Sequence, residues 1–287
     1  MTSPLLIKMS RRHFLAASGG ALALAACADS NVPDGFLVVQ RFPNHPLYTP
    51  GDVRLPISLA DPRGNLIDGD DSIEGWIEDV GGERFAEFTA KRRGNGIEVP
   101  YWEVRANLPL ALVYRMRLEG DDGEGALFEL YNEIEINSPV TGAKMGLFKT
   151  PTVDNHRGVE PYCSLTPDPC PLHEVTLEDA LLGAATSGTP VIYMIGTPAH
   201  CVTGTCAPGL ELLVAEHERL GDQITMIHAD VYADDAATTV APAVTALKVE
   251  YEPIVYFCTS DAVIVDRLDV IWDADELRER IDLLLAR

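Results

Sequence analysis

The hydrophobic rhythm of this chain changes once, and the change falls at a proline-dense stretch. From about residue 36 to 137, apolar side chains recur at every second position. Val53, Leu55, Ile57 and Leu59 alternate, as do Leu112, Tyr114, Met116 and Leu118, with Arg115 and Arg117 on the opposite face. Such alternation turns one face of a strand to a core and the other to water. Residues 126–136 form another strand-like stretch with acids interleaved. Turn formers separate the strands at Asp61-Pro62-Arg63-Gly64, Gly81-Gly82, Gly94-Asn95-Gly96 and Asp121-Asp122-Gly123. Strands of this length, punctuated this way, predict an all-β antiparallel sandwich.

The expected layout over 36–137 is immunoglobulin-like. No cysteine lies in this segment, so no inter-sheet disulfide is expected. Trp76 and Trp102 read as core residues. No catalytic constellation stands out, and the expected role is spacing, docking or partner contact. Residues 138–175 lack periodicity and carry Pro139, Pro151, Pro161, Pro167, Pro169 and Pro171, which predicts a linker lying along a second domain. Cys163 and Cys170 sit inside it. In an exported loop they are expected to close a local disulfide, stabilising by about 2–3 kcal/mol less any strain; a redox-active or metal-binding pair is the alternative.

From 176 the rhythm becomes one of apolar runs and helical patterns. Thr176-Leu177-Glu178-Asp179 resembles a capping box, with a helix continuing through 180–185. Residues 190–196 read as a strand buried on both faces. A helix follows over 210–220, a second buried strand over 223–230, and a helix over 236–247 interrupted by Pro242. Strands 254–258 and 263–268 are joined by Thr259-Ser260-Asp261. A closing amphipathic helix spans 273–284, capped by Asp273 and carrying Leu277, Ile281 and Leu284. The order α-β-α-β-α-β-β-α predicts an α/β domain over 176–287.

Between the first strand and helix of this order lies Gly196-Thr197-Pro198-Ala199-His200-Cys201-Val202-Thr203-Gly204-Thr205-Cys206-Ala207-Pro208. A strand that delivers a thiol to a helix N-terminus makes it reactive, because unpaired N–H groups and the macrodipole favour the thiolate. Cys201 is the candidate nucleophile and Cys206 the resolving partner, with Gly204 giving the loop freedom to bring them within disulfide distance. His200 is a candidate cation beside the thiolate or an exposed loop residue. A purely structural disulfide is the plain alternative. Cys258, inside a buried strand, reads as an inert core thiol.

Element order and cysteine placement together resemble the thioredoxin-like (redoxin) family, over 176–287. Glu252-Pro253, immediately before the strand Ile254-Val255-Tyr256-Phe257, matches the point where that family carries a cis-proline. The resemblance implies a cis Glu252–Pro253 bond, contact of Pro253 with the cysteine loop, and a groove shaped there for a substrate backbone. The chain departs from the family pattern in its four-residue spacer, in His200 where tryptophan is usual, and in Val202-Thr203-Gly204-Thr205 between the cysteines. These departures bear on redox potential and on direction.

Ser10-Arg11-Arg12-His13-Phe14-Leu15, followed by an apolar run over 14–26, is a twin-arginine export pattern. Leu24-Ala25-Ala26-Cys27 resembles a bacterial lipobox, which makes Cys27 the expected lipidation site; cleavage near Ala26 with Cys27 a bystander is the alternative. The expected organisation is a signal peptide over 1–26, a tether over 27–35, the sandwich over 36–137, the linker over 138–175 and the thioredoxin-like domain over 176–287. The chain carries 22 basic and 44 acidic side chains, net −22. Removing Lys8, Arg11 and Arg12 with the leader leaves 19 against 44, or −25. That field repels nucleic acid and anionic headgroups, so no nucleic-acid partner is expected and membrane attachment falls to the lipid.

The expected function is an exported, membrane-anchored thiol–disulfide oxidoreductase of the cell envelope, without cofactor or resident metal, acting on the thiols or disulfides of exported proteins. Two alternatives stay open. One is copper binding and delivery by the cysteine pair with a distant imidazole, His173 or His228. The other is a non-catalytic envelope binding or scaffold protein with a structural disulfide. A peroxidase is disfavoured, since no Pro-x3-Thr-x2-Cys pattern occurs.

Overall fold

The computed structural model describes residues 36–43, 48–120, 125–132, 141–143, 145, 171–172, 177–234 and 236–287. The leader, the tether and nearly all of 138–175 lie outside them, and with them Cys27, Cys163, Cys170 and His173 and what the sequence leads one to expect of them. Among the described residues no helix is long and apolar enough to cross a membrane.

The alternating segment forms β1 (Leu37–Gln40), β2 (Gly51–Ala60), β3 (Leu66–Ile67), β4 (Ser72–Asp79), β5 (Arg84–Arg93), β6 (Tyr101–Leu108), β7 (Val113–Leu118) and β8 (Ala126–Glu129). They hydrogen-bond in the order β1-β2-β6-β5-β4-β7-β8, with β3 on β2, and every pairing is antiparallel. The Gln40 amide reaches Leu127 O, which brings the outer strands β1 and β8 together. The sheet is thus nearly closed into a barrel around Leu55, Ile57, Ile77, Trp102, Val104, Tyr114 and Met116. Closure removes sheet edges that a sandwich would have to protect.

The second sheet contains β9 (Val191–Ile195), β10 (Thr225–Ala229), β11 (Ile254–Cys258) and β12 (Ile264–Asp269) in the order β10-β9-β11-β12. Only β9 and β10 are parallel; β11 is antiparallel to both of its neighbours. Four α-helices accompany it among the described residues: α1 (Leu177–Ser187), α2 (Cys206–Leu220), α3 (Pro242–Leu247) and α4 (Ala274–Leu285).

The expected fold class, an immunoglobulin-like sandwich followed by an α/β thioredoxin-like fold, is therefore corrected. The period-two segment makes one continuous antiparallel sheet instead of two facing sheets. The described residues are mostly β, with a small mixed sheet and few helices. Alternation and element order describe single strands and helices; they do not specify which strands become neighbours, and the neighbours decide the class.

Sequence pattern still explains burial. β9 and β11 are apolar throughout because both faces of the small sheet are covered. Tyr193, Ile195, Ile254 and Tyr256 pack with Leu177, Ala180 and Ala184 of α1. Ile192, Met194, Val255 and Phe257 pack with Leu210 and Leu213 of α2 and Leu277 and Ile281 of α4. Described parts of the proline-rich stretch lie along the outer strands: Ile264 N donates to Ala143 O at 2.9 Å and His228 N to Leu172 O at 3.0 Å. Of the two tryptophans expected in the core, Trp102 is sealed, with Nε1 donating to Asp70 O at 2.9 Å. Trp76 is half-buried, its ring 4.1 Å from the Arg84 guanidinium carbon.

The alternation in β2 breaks down in a revealing way. Arg54, Pro56 and Ser58, on the face that pattern assigns to water, are buried along with Val53, Leu55 and Ile57. The start of α4 covers Arg54, while Ser58 Oγ donates to Pro100 O at 3.1 Å. Arg54 Nε and Nη2 each reach a Glu276 carboxylate oxygen at 2.6 Å, both side chains being sealed from solvent. Tyr101 Oη donates to the same carboxylate. Arg93 donates to Glu279 at 3.0 and 2.5 Å and also to Glu103. The 94–95 turn donates through Gly94 N and Asn95 N to Asp273 Oδ2, at 2.8 and 3.0 Å. Asp273 Oδ1 caps α4 by accepting from Glu276 N at 2.8 Å. Barrel and mixed sheet are thus joined by a seam of ion pairs and charge-assisted hydrogen bonds.

Candidate functional site

Three strand ends define the site. The register pairs Ile195 with both Ala229 and Ile254, so Gly196, Asp230 and Pro253 emerge at one edge of the small sheet. The loop leaving β9 crosses that edge, carries Cys201, and enters α2 at Cys206.

Cys201 and Cys206 form a disulfide with Cα atoms 6.0 Å apart, within the span such a bond needs. Gly204, at φ +70°, lets the intervening residues turn back on themselves. The two sulfurs have unequal surroundings. Cys206 is fully buried, whereas Cys201 is half-buried between exposed His200 and Val202. Cys206 N, at the start of α2, donates to Cys201 Sγ at 3.3 Å. Thr203 Oγ1 lies 3.0 Å from the same sulfur and 2.7 Å from Thr205 Oγ1. No acid occupies the first turn of α2. When the bond opens, negative charge on Cys201 therefore meets an amide, a hydroxyl and the positive end of a helix.

Behind the disulfide lies a buried carboxyl. Glu252 Oε2 is 3.5 Å from Cys206 Sγ and accepts from Thr197 N at 2.5 Å. Its Oε1 is buried with no hydrogen-bond partner among the described residues. Burial raises the carboxyl to about 8, against the hydrogen bonds from Thr197 and with the nearby Asp230 pushing the same way. Glu252 is thus held neutral near pH 7, able to give a proton to Cys206 or take one from it. Thr197 Oγ1 accepts from Val231 N at 2.7 Å, and buried His228 places Nε2 2.7 Å from Gly196 O.

The other expected residues fall as follows. The Glu252–Pro253 bond is cis. Pro253 Cβ lies 3.1 Å, and Cys206 Cβ 3.6 Å, from where a side chain on Gly196 would begin, so Pro253 packs beside the inner cysteine. His200 stacks edge-on against Tyr232, the rings 5.9 Å apart. Cys258 is a free, buried thiol pushed up by burial to about 12, which keeps it protonated. His228 is committed to the strand-end carbonyl, and among the described residues no group of three or more His, Cys, Asp or Glu side chains has a metal-binding arrangement.

Sequence reasoning missed Glu252 as a functional group and passed over Asp230 and Thr197. One signal was present: Glu252 and Asp230 directly flank strands expected to be buried, where charge is costly without a purpose. Family models, curated proteins and solved structures give no match to this chain.

Proposed function

We propose that this protein is a thiol–disulfide oxidoreductase working through Cys201 and Cys206. The observation that carries the reading is the Glu252 carboxyl, 3.5 Å from the buried sulfur of a disulfide whose other sulfur is half-exposed. A purely structural disulfide has no need of a neutral carboxyl at its inner sulfur, nor of amide and hydroxyl donors at its outer one.

A substrate thiolate attacks Cys201 Sγ. The Cys201–Cys206 bond breaks, its electron pair passes to Cys206 Sγ, and Cys206 takes the proton of Glu252. The products are a substrate–Cys201 mixed disulfide, a Cys206 thiol and a Glu252 carboxylate. A second substrate thiol, having lost its proton to solvent, then attacks the substrate sulfur of the mixed disulfide. Cys201 leaves as a thiolate held by Cys206 N–H and the Thr203 hydroxyl. The substrate has been oxidised by two electrons and the protein dithiol reduced. In reverse, Glu252 takes the Cys206 proton, the Cys206 thiolate attacks the mixed disulfide, and the partner is released reduced.

The place of action we propose is outside the cytoplasm, at a membrane, through twin-arginine export and lipidation of Cys27. The support is the pattern over residues 10–27. Partners are then thiols or disulfides of exported proteins, in a compartment that permits both states. The test is differential thiol labelling and mass spectrometry of the exported protein under graded reductant. Reversible opening of the 201–206 bond, with Cys201 labelled ahead of Cys206, is expected. A bond that resists reduction until the protein unfolds would reject the reading.

A further inference from the structure

Val270 follows β12 with φ at +66°, the left-handed region. A β-branched residue is strained there and stays only where its surroundings over-determine it. Those surroundings come from both parts of the molecule. From the barrel, Arg54 Nη1 donates to Asp269 O at 3.2 Å and Nη2 to Ile271 O at 2.5 Å, so one guanidinium spans the carbonyls on either side of Val270. On the opposite flank, Val270 N donates to Pro253 O at 2.9 Å. Tyr251 Oη donates to Asp269 Oδ1 at 2.7 Å. Asp269 is further held by Arg267 Nε at 3.1 Å. The 269–271 turn therefore grips the residues on both sides of Glu252, and Arg54 grips the turn.

We propose that Arg54 is a positioning residue for the dithiol site: by bridging Asp269 O and Ile271 O it holds Val270 left-handed, and the turn so formed holds Tyr251 and Pro253, and with them Glu252, against Cys206. The inference rests on the exchange reading above and gives the barrel a part in it. Arginine suits the task because its planar fork serves two carbonyls and the Glu276 carboxylate at once. When the clamp is lost, the strained turn relaxes, Glu252 gains water, and its carboxyl moves back toward the ordinary range. The groups facing Glu252 are Cys206, Thr197, Asp230 and His228; none of them touches Arg54 in the network described, so their own charges stay in place.

The test is the rate of Cys201–Cys206 reduction by dithiothreitol between pH 6 and 9.5, corrected for ionisation of the reagent, beside the thermal midpoint, on the full chain. Wild type should show a transition near pH 8. Arg54→Met should lower that transition by about one pH unit and also lower the thermal midpoint. Val270→Gly removes the strain, since glycine accepts a positive φ freely, and should by itself resemble wild type. Combined with Arg54→Met it should restore the pH transition while the thermal midpoint stays low. A thermal loss in Arg54→Met with an unmoved transition, or a double variant that restores nothing, overturns the inference and leaves the exchange reading intact. If Arg54→Met does not fold, Arg54→Lys keeps a cation against Glu276 without the two-carbonyl span, and the same shift or its absence decides. A wild type that exchanges with no transition near pH 8 removes the role of Glu252 and this inference with it; a wild type that does not exchange removes both readings.

Discussion

Glu252 Oε2 lies 3.5 Å from Cys206 Sγ although 46 positions separate the two residues. The contact exists because β11 runs antiparallel to β9, which returns the start of β11 to the edge where β9 ends. The proposed exchange depends on that meeting of strand ends.

Glu252→Gln tests the proton transfer. The amide keeps the shape and can still accept from Thr197 N, but it neither gives nor takes the Cys206 proton. Exchange at pH 7 should slow by about 10²- to 10⁴-fold, the usual worth of general acid–base assistance, and the step near pH 8 should vanish. Stopped-flow reduction across that pH range checks both.

The same carboxyl predicts how stability varies with pH. Folding raises Glu252 from an ordinary 4.5 to about 8. Between those values the folded state holds a proton that the unfolded chain has lost, so this contribution is complete below the unfolded value and declines as pH rises toward 8. The slope is about 1.4 kcal/mol per pH unit from this group alone, and it levels off above pH 8. Urea unfolding of wild type against Glu252→Gln isolates it: their stability difference should shift in favour of the variant as pH rises from 6 to 8.

Glu103 acts in the opposite sense. Burial alone would raise it, but Arg105 and Arg93 hold it at about 2. Its contribution is complete above the ordinary carboxyl value and declines as pH falls from there toward 2. Glu103→Gln should therefore lower stability at pH 6 and flatten the acid side of the profile, as read by urea midpoints at pH 3 and 6.

The seam between barrel and small sheet makes a thermodynamic prediction. Breaking the buried Arg54–Glu276 pair from one side strands a charge, at a cost of about 3–5 kcal/mol. Arg54→Met and Glu276→Leu should each cost that much, while the double variant should cost clearly less than their sum. A double-mutant cycle by chemical denaturation measures the coupling.

Much of the local structure was legible in sequence. The strand expected over 254–258 is β11, and the amphipathic pattern closing the chain is α4, shifted by one residue and capped by Asp273 as expected. Both rest on short-range signals: an apolar run, a cap, a helical stripe. α2 was harder. It begins at Cys206, four residues before the pattern suggested, because Ala207, Pro208 and Gly209 carry no apolar stripe to mark a first turn. Assembly was not legible. Alternation in β2 put Arg54 in water, yet Glu276, 222 positions later, buries it. The barrel-like sheet and the place of the Glu252 carboxyl behind Cys206 share that cause; the approach of Pro253 to the cysteine loop was expected, but from the family resemblance and not from any local pattern.

The central claim is that Cys201 is the sulfur that meets a partner and Cys206 the one that releases it. Trapping of covalent complexes in the native envelope by Cys206→Ala, compared with Cys201→Ala, tests it most directly. Cys206→Ala should accumulate reductant-sensitive mixed disulfides mapped by mass spectrometry to Cys201, and Cys201→Ala should accumulate none there. A folded Cys206→Ala protein that traps no thiol partner, or complexes that form equally through Cys206 when Cys201 is absent, would contradict the account.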